Sequence, residues 1–325
     1  MSERDGKTLF LFPGLDAVLD AGKIRRWLDV PFIRQTLESA SQSLSEATGK
    51  KQSLVDLFAN MRRPQDVDED LIHIGLIAIQ YAIAMESEKR VVPDILTGCS
   101  HGDLGRMAFA GCLPLWDTIH MAWASAQLRT QCVPGVNASA RSVSGRLTAE
   151  QLDWLRKQDI VVSQWTHHHA TVAGSLETIS NLRERAFKRG LKMHVLLRVP
   201  VHSPLMRPVV DEALRISQQF VLQPPRYPIF SSVYVRRIKN ADELKQEAVD
   251  ASLSEIRWME TLSRLIDEED VRRIICIGPS STLANWIMED DNIKGIEVVD
   301  AWDLCREPAR QAGTRLPYPK TTSAA

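Results

Sequence analysis

Four consecutive apolar residues, Leu9 to Phe12, end at Pro13-Gly14, so Thr8 to Phe12 reads as a buried strand closed by a turn. Helical periodicity follows at about 31–47, 52–61 and 69–86. Within the last of these, Asp70 to Met85 is apolar nearly all round, which predicts a central, buried helix. A short apolar strand, Asp94 to Leu96, comes next, then helices at about 101–110 and 115–131 that stop before Val133-Pro134-Gly135.

The pattern then changes. A strand near 140–145, a helix from Thr148 to Lys157, strands near 160–164 and 170–173, a helix at 175–190 and a strand near 193–198 make the β-α-β-β-α-β order of a ferredoxin-like arrangement. We expect an inserted subdomain at 134–199 within a discontinuous large domain, 1–133 and 200–305. The large domain resumes with a helix at 205–219, a strand near 229–235, helices over 241–268, a strand at 273–277 and a helix after Gly278-Pro279. Alternating strands and helices predict a mainly parallel sheet covered on both faces, an α/β fold. Residues 306–325, rich in Pro, Arg, Thr and Ala, read as a loose tail.

Candidate chemistry begins where the second strand ends. Gly98-Cys99-Ser100-His101-Gly102-Asp103 places a serine between two glycines at a strand-to-helix turn, the mounting a nucleophilic serine needs, with the next helix aiming N–H groups at the site. Composition alone produces a Gly-x-Ser-x-Gly match in about one of twenty chains of this length, so the motif by itself is also compatible with an ordinary glycine turn. A serine hydroxyl needs a base, usually histidine, and the chain has eight. His202 stands apart from the rest because it follows a strand, lies beside Pro200 and Ser203-Pro204, and precedes a helix; loops of this kind carry chemistry. No histidine occurs after 202, so the serine, acid, histidine order of common lipases and esterases is not available.

Net charge and cysteine usage narrow the classes further. The 325 residues carry a formal charge of −1, yet Asn181 to Lys239 holds twelve basic residues against three acids. Gathered on one face, such a stretch attracts an acidic partner; spread over solvated helices, it is balanced by acids from elsewhere. No nucleic-acid motif or aromatic platform accompanies it. Five cysteines, at 99, 112, 132, 276 and 305, form no Cys-x-x-Cys pair, so neither a disulfide framework nor a zinc site is indicated. The first residues carry acids and lead into too few apolar positions for a signal peptide or membrane span, and we expect a cytoplasmic, monomeric protein.

Phe12-Pro13-Gly14-Leu15, the Ser100 elbow, Val201-His202-Ser203-Pro204-Leu205-Met206 and Ile277-Gly278-Pro279-Ser280 together resemble the malonyl-CoA:acyl carrier protein transacylases and the acyltransferase domains of polyketide synthases. The resemblance covers about residues 7 to 300. It implies a large α/β-hydrolase-like domain with an inserted ferredoxin-like subdomain, Ser100 as nucleophile, His202 as base, and a backbone carbonyl near Ala251 orienting the histidine. It also implies an oxyanion hole from the backbone N–H groups of Leu15 and His101, and no bound cofactor, the substrate being the phosphopantetheine thioester of acyl carrier protein or coenzyme A. Cys99, His101 and Asp103 replace the family's usual His, Leu and Glu.

The departure of most consequence is at Ser125, which stands where malonyl-specific members place an arginine. A small neutral side chain there predicts a pocket that does not offset the burial of a malonyl carboxylate. Arg129 lies about 6 Å further along the helix axis. His167-His168-His169 aligns with a stretch lining the family's cleft, with His169 replacing a glutamine; pocket lining, an exposed loop and metal binding are the alternatives, with no third metal ligand visible. Trp123 and Trp165 either close the acyl pocket or pack in the core. The expectation is a non-malonyl acyltransferase of polyketide or related biosynthesis, with an acyl hydrolase and an inert carrier-binding protein as alternatives. Its partner is an acidic acyl carrier protein met by Lys188, Arg189, Arg207 and Arg237, with no nucleic acid and no membrane.

Overall fold

The structure is a computed structural model that describes residues 6–63, 67–128, 134–290 and 293–306. The first apolar run forms β1 (Lys7–Phe12), in the middle of a six-stranded sheet. On one side lie β2 (Ile95–Gly98), β7 (Ile229–Ser231) and β8 (Arg236–Arg237); on the other lie β9 (Val271–Cys276) and β10 (Glu297–Asp300). All neighbours are parallel except the β7–β8 pair at the edge.

Successive side chains of a strand face opposite sides, and this sheet is buried on both. Phe10 and Phe12 join one core with Leu96, Ile275 and Ile277, whereas Leu9 and Leu11 join the other with Ile95, Ile274 and Cys276. The first core packs against α1 (Ala21–Trp27), α2 (Pro31–Thr48), α3 (Leu54–Asn60), α4 (Glu69–Glu88), α5 (Gly102–Phe109), α6 (Leu115–Gln127) and α13 (Ala301–Arg306). Helix α4 is buried almost all round, as its sequence predicts, and its fully buried Gln80 donates to the Pro13 carbonyl at 2.7 Å. The second core holds α11 (Trp258–Asp267) and α12 (Thr282–Met288). Helix α10 (Ala241–Leu253) spans the two, with Leu244 in one core and Ala251 in the other.

The inserted unit runs β3 (Val136–Ser142), α7 (Ala149–Arg156), β4 (Val161–Trp165), β5 (His169–Gly174), α8 (Leu176–Lys188) and β6 (Leu191–Leu197). Its antiparallel sheet is ordered β4-β5-β3-β6, the ferredoxin-like arrangement. Both helices start on side-chain caps: a Thr148–Gln151 capping box opens α7 and Ser175 opens α8. Ala138, Ala140, Leu155, Val172, Ile179 and Leu182 form its separate core. The chain then returns through α9 (Arg207–Gln218).

Several boundaries differ from the sequence pattern for local reasons. The strand expected near 229–235 stops at Ser231, because that hydroxyl accepts from the backbone N–H of Val233 and Tyr234 and folds the chain into a turn. The helices expected over 241–268 are separated after Leu253, where Ile256 leaves helical geometry to donate its N–H to the Ser163 carbonyl of the inserted sheet at 2.8 Å. β3 begins at Val136 instead of near 140, and α1, β10 and α13 lack a period long enough to read in sequence. Arg129 and Cys132 lie outside the described residues, as does the expected tail apart from Arg306, the last residue of α13. No described helix is long and apolar enough to cross a membrane.

Candidate active site

Strand β2 delivers the chain to the elbow at the carboxyl ends of the parallel strands, where ligands of open α/β sheets bind. Ser100 has φ 57°, a left-handed conformation that costs a residue with Cβ free energy and persists only under surrounding constraint. The flanking glycines are explained by space. A Cβ on Gly98 would come within 2.2 Å of Asp103 Oδ1, and one on Gly102 within 2.1 Å of the Phe12 carbonyl. The elbow is further tied down by Cys99 N–H to Phe12 O at 3.0 Å and Asp103 N–H to Ser100 O at 3.0 Å.

His202 lies 102 positions away in sequence but approaches Ser100, its Nε2 being 2.6 Å from Ser100 Oγ. Its Nδ1 is 2.6 Å from the carbonyl oxygen of Ala251. A carbonyl only accepts, so Nδ1 carries the proton and the Nε2 lone pair receives the serine O–H. The loop is fastened beside the same helix end: Ser203 N–H donates to Ser252 O at 3.2 Å, and the buried Ser203 hydroxyl donates to Pro200 O at 2.6 Å. Burial pushes the His202 pKa below the ordinary 6.5, with the Ala251 bond opposing that shift, so the ring is neutral at physiological pH.

The Pro13-Gly14-Leu15 turn lies against the serine. A Cβ on Gly14 would be 3.1 Å from Cys99 O and 3.4 Å from Ser100 Cβ. Three bonds hold this turn in place: Gln80 donates to Pro13 O, and Asp16 accepts from Thr282 N–H at 2.8 Å and from its hydroxyl at 2.9 Å. Behind the serine, His101 caps α5; its Nε2 is 2.8 Å from His73 O and its Nδ1 is 3.1 Å from His73 Nδ1 on α4. Both ring nitrogens of His101 are therefore engaged with α4.

Ser125 and Trp123 are half-buried on α6, which packs against α4 and α5, with Trp123 at the margin of the first core. The histidine run faces α12. His167 Nε2 is 3.2 Å from Asp290 Oδ2, and His169 is buried with its ring 4.3 Å from Trp286 and its Nδ1 3.2 Å from Thr166 Oγ1. Burial, reinforced by Arg141 and His168, lowers the His169 pKa to about 3, so it stays neutral. Trp165 meets His167 edge-on. Among the described residues, no group of three His, Cys, Asp or Glu side chains converges as a metal ion requires.

The basic stretch does not form one unpaired face. Arg237 is paired through two nitrogens with Glu269, which also binds Lys7; Lys188 pairs with Glu184 and Arg189 with Glu150. Arg215, Arg226 and Arg236 meet Glu212, Glu88 and Glu243. Arg207, exposed at the start of α9, has no carboxylate within 4.0 Å among the described residues. A surface recess of about 430 Å³ lined by Gly6, Asp270, Arg272, Gly295 and Glu297 lies at the amino ends of β1 and β9, away from Ser100.

Sequence reasoning did not single out Arg106 and Glu247. Arg106 is 1% exposed on α5, with one nitrogen 2.7 Å from Glu247 Oε2 of α10 and 3.2 Å from Asp103 Oδ1. The available signal was a charge beside the buried run Met107-Ala108-Phe109.

An elbow serine, a carbonyl-oriented histidine and a mainly parallel sheet with a ferredoxin-like insertion define a class of serine-dependent α/β proteins. Residues 27–297 match the family described as acyl transferase domain, and the chain belongs to it. It is 22% identical to the malonyl CoA-acyl carrier protein transacylase of Bacillus subtilis (strain 168) over 309 residues, 90% of this chain and 94% of that one. The fold superposes on FabD from Acinetobacter baumannii with a TM-score of 0.77 at 19% identity, covering 93% of this chain and 98% of that one. It also superposes on a malonyl-transacylase in complex with its type II polyketide synthase acyl-carrier protein, with a TM-score of 0.76 at 20% identity, covering 90% and 95%.

Proposed function

We propose that this acyltransferase moves a non-malonyl acyl group from a thioester of acyl carrier protein or coenzyme A to acyl carrier protein through a Ser100 ester, in polyketide or related biosynthesis. The observation that carries this reading is the 2.6 Å approach of Ser100 Oγ to His202 Nε2, with Nδ1 of the same ring held by Ala251 O. His202 takes the serine proton as Oγ attacks the thioester carbonyl, then gives it to the departing thiolate. In the second half it deprotonates the acceptor thiol, and Ser100 leaves as the reprotonated alcohol. The backbone N–H groups of Leu15 and His101 receive the oxyanion; such donors are worth about 3–4 kcal/mol each in the transition state.

Ser125 favours a neutral acyl group, because a malonyl carboxylate beside it lacks the planar guanidinium that would offset its desolvation. The carrier protein as partner is supported by the relatives' names. Of the basic residues expected to meet it, Arg207 is exposed at the start of α9, Lys188 and Arg189 are exposed in exchangeable surface pairs, and Arg237 reaches a carrier protein only by giving up its two hydrogen bonds to Glu269.

The test is intact-protein mass spectrometry with a neutral acyl carrier-protein thioester, a second empty carrier protein, and malonyl-CoA in parallel. Transfer to the second carrier through an adduct lost in Ser100→Ala is expected. Release as free acid would make the protein a hydrolase, and efficient malonyl loading would overturn the reading of Ser125.

A further inference from the structure

Helix α5 carries the nucleophile at its start, and α10 carries the carbonyl that orients the histidine at its end. Arg106 and Glu247 join these two helices. Arg106 is six residues beyond Ser100, and Glu247 is one helical turn before Ala251, so the elements close a ring: Ser100, α5, Arg106, Glu247, α10, Ala251, His202 and back to Ser100. Arg106 also reaches the sheet, with Nη1 3.3 Å from the Phe230 carbonyl of β7.

Helix α10 packs against α9 and the turn at Pro204–Met206, but Arg106–Glu247 is its buried polar tie to α5. Its buried residues are Leu244, Glu247 and Ala251, and its other side-chain ties are Asp250 to the Tyr234 hydroxyl at 2.7 Å and Glu243 to Arg236 near the surface. A fully buried ion pair is a weak source of stability compared with apolar side chains of the same volume. A planar guanidinium is, however, a strong source of geometry, because it fixes direction as well as distance. Here it also meets Asp103, three residues from the serine, so one guanidinium orients groups on both helices.

We propose that Arg106 and Glu247 are positioning residues for acyl transfer, holding α10 and its Ala251 carbonyl at the distance from α5 that aims His202 at Ser100. This rests on the Ser100–His202 reading above. Glu247 acts through the helix it anchors, and Arg106 through both helices.

The test compares wild type with Arg106→Met/Glu247→Leu, which replaces both charges by apolar volume, and with Glu247→Gln and Arg106→Lys. Three quantities are read on each full-length protein: urea unfolding, single-turnover acylation of Ser100 followed by intact mass, and the low-field proton resonance of His202 Nδ1–H, assigned by its absence in His202→Gln. The double variant is expected to stay folded, to acylate up to about a hundredfold more slowly at unchanged half-saturating thioester concentration, and to lose or move that resonance. Glu247→Gln reads the same quantities should the double variant melt, and Arg106→Lys, which keeps the charge without the fork, is expected to fall between. A folded double variant with wild-type acylation and an unmoved resonance would overturn the proposal. Acylation surviving in Ser100→Ala and His202→Gln would instead remove the Ser–His reading on which it rests.

Discussion

Ser100 and His202, whose side chains meet at 2.6 Å, are both held in left-handed backbone conformations, at φ 57° and 58°. Neither conformation is comfortable for a residue with Cβ, and each is stabilised by bonds to neighbouring loops. The strain aims two side chains at one point and leaves the ring nitrogen that faces the serine without its proton.

That geometry predicts how acylation depends on pH. As the proposed base, His202 works when neutral, and burial lowers its pKa below 6.5, so the rate should hold as pH falls past 6.5 and decline only below it. Single-turnover acylation measured from pH 4.5 to 8 checks this; a midpoint above 6.5 would contradict the buried, carbonyl-bound ring. His202→Gln should slow acylation by about 10²–10⁴-fold throughout.

Gly102→Ala tests the elbow. Its Cβ would sit 2.1 Å from the Phe12 carbonyl and 2.5 Å from that of Pro13, both backbone atoms of the turn beside the serine. We expect a loss of about 1–3 kcal/mol in urea unfolding, together with loss of Ser100 labelling by a serine-directed probe. Labelling at the wild-type rate would show that the turn relaxes without cost.

Ser125→Arg should restore what a malonyl carboxylate needs. A charged hydrogen bond contributes about 1.5–3 kcal/mol, so malonyl loading relative to neutral acyl loading should rise at least about tenfold. Mass spectrometry of the Ser100 adduct from mixed thioesters gives the ratio directly. An unchanged ratio would mean that position 125 does not face the acyl group.

Asp103 predicts a stability profile. Burial raises its pKa to about 7, with Arg106 opposing and Glu247 reinforcing, against an ordinary 3.8. Between those values the native state holds a proton that the unfolded chain has released, so stability should fall as pH rises from about 4 to about 7 and level off above. Asp103→Asn should flatten that part of the curve in urea titrations across the range. An unchanged slope would assign the dependence to other groups.

Much of the scaffold was legible because burial writes itself into periodicity. β1 is apolar from Leu9 to Phe12 because helices cover both faces of the sheet, and Asp70 to Met85 is apolar nearly all round because α4 is buried along most of its surface. The β-α-β-β-α-β order appeared in the alternation of short patterns, and the structure adds side-chain caps at Thr148 and Ser175 that start the two helices. More than one helix was expected over 241–268, but the position of the break after Leu253 was not legible, since it pairs Ile256 with Ser163 in a different sheet. Nor was the fate of Arg237, whose partner Glu269 is 32 residues away.

At the site, local sequence determined the residue types: a serine between two glycines, a histidine in a proline-bounded loop, a Pro-Gly turn after the first strand. These follow from short-range sterics, which neighbouring residues alone dictate. Distances belong to the tertiary structure. Only packing brings Ser100 to His202, Ala251 to His202, His73 to His101 and Arg106 to Glu247, because each pair joins elements whose separation is set by the cores between them and by no local rule. A charge such as Arg106, buried on one helix and answered 141 residues later on another, carries no pattern that a linear reading detects.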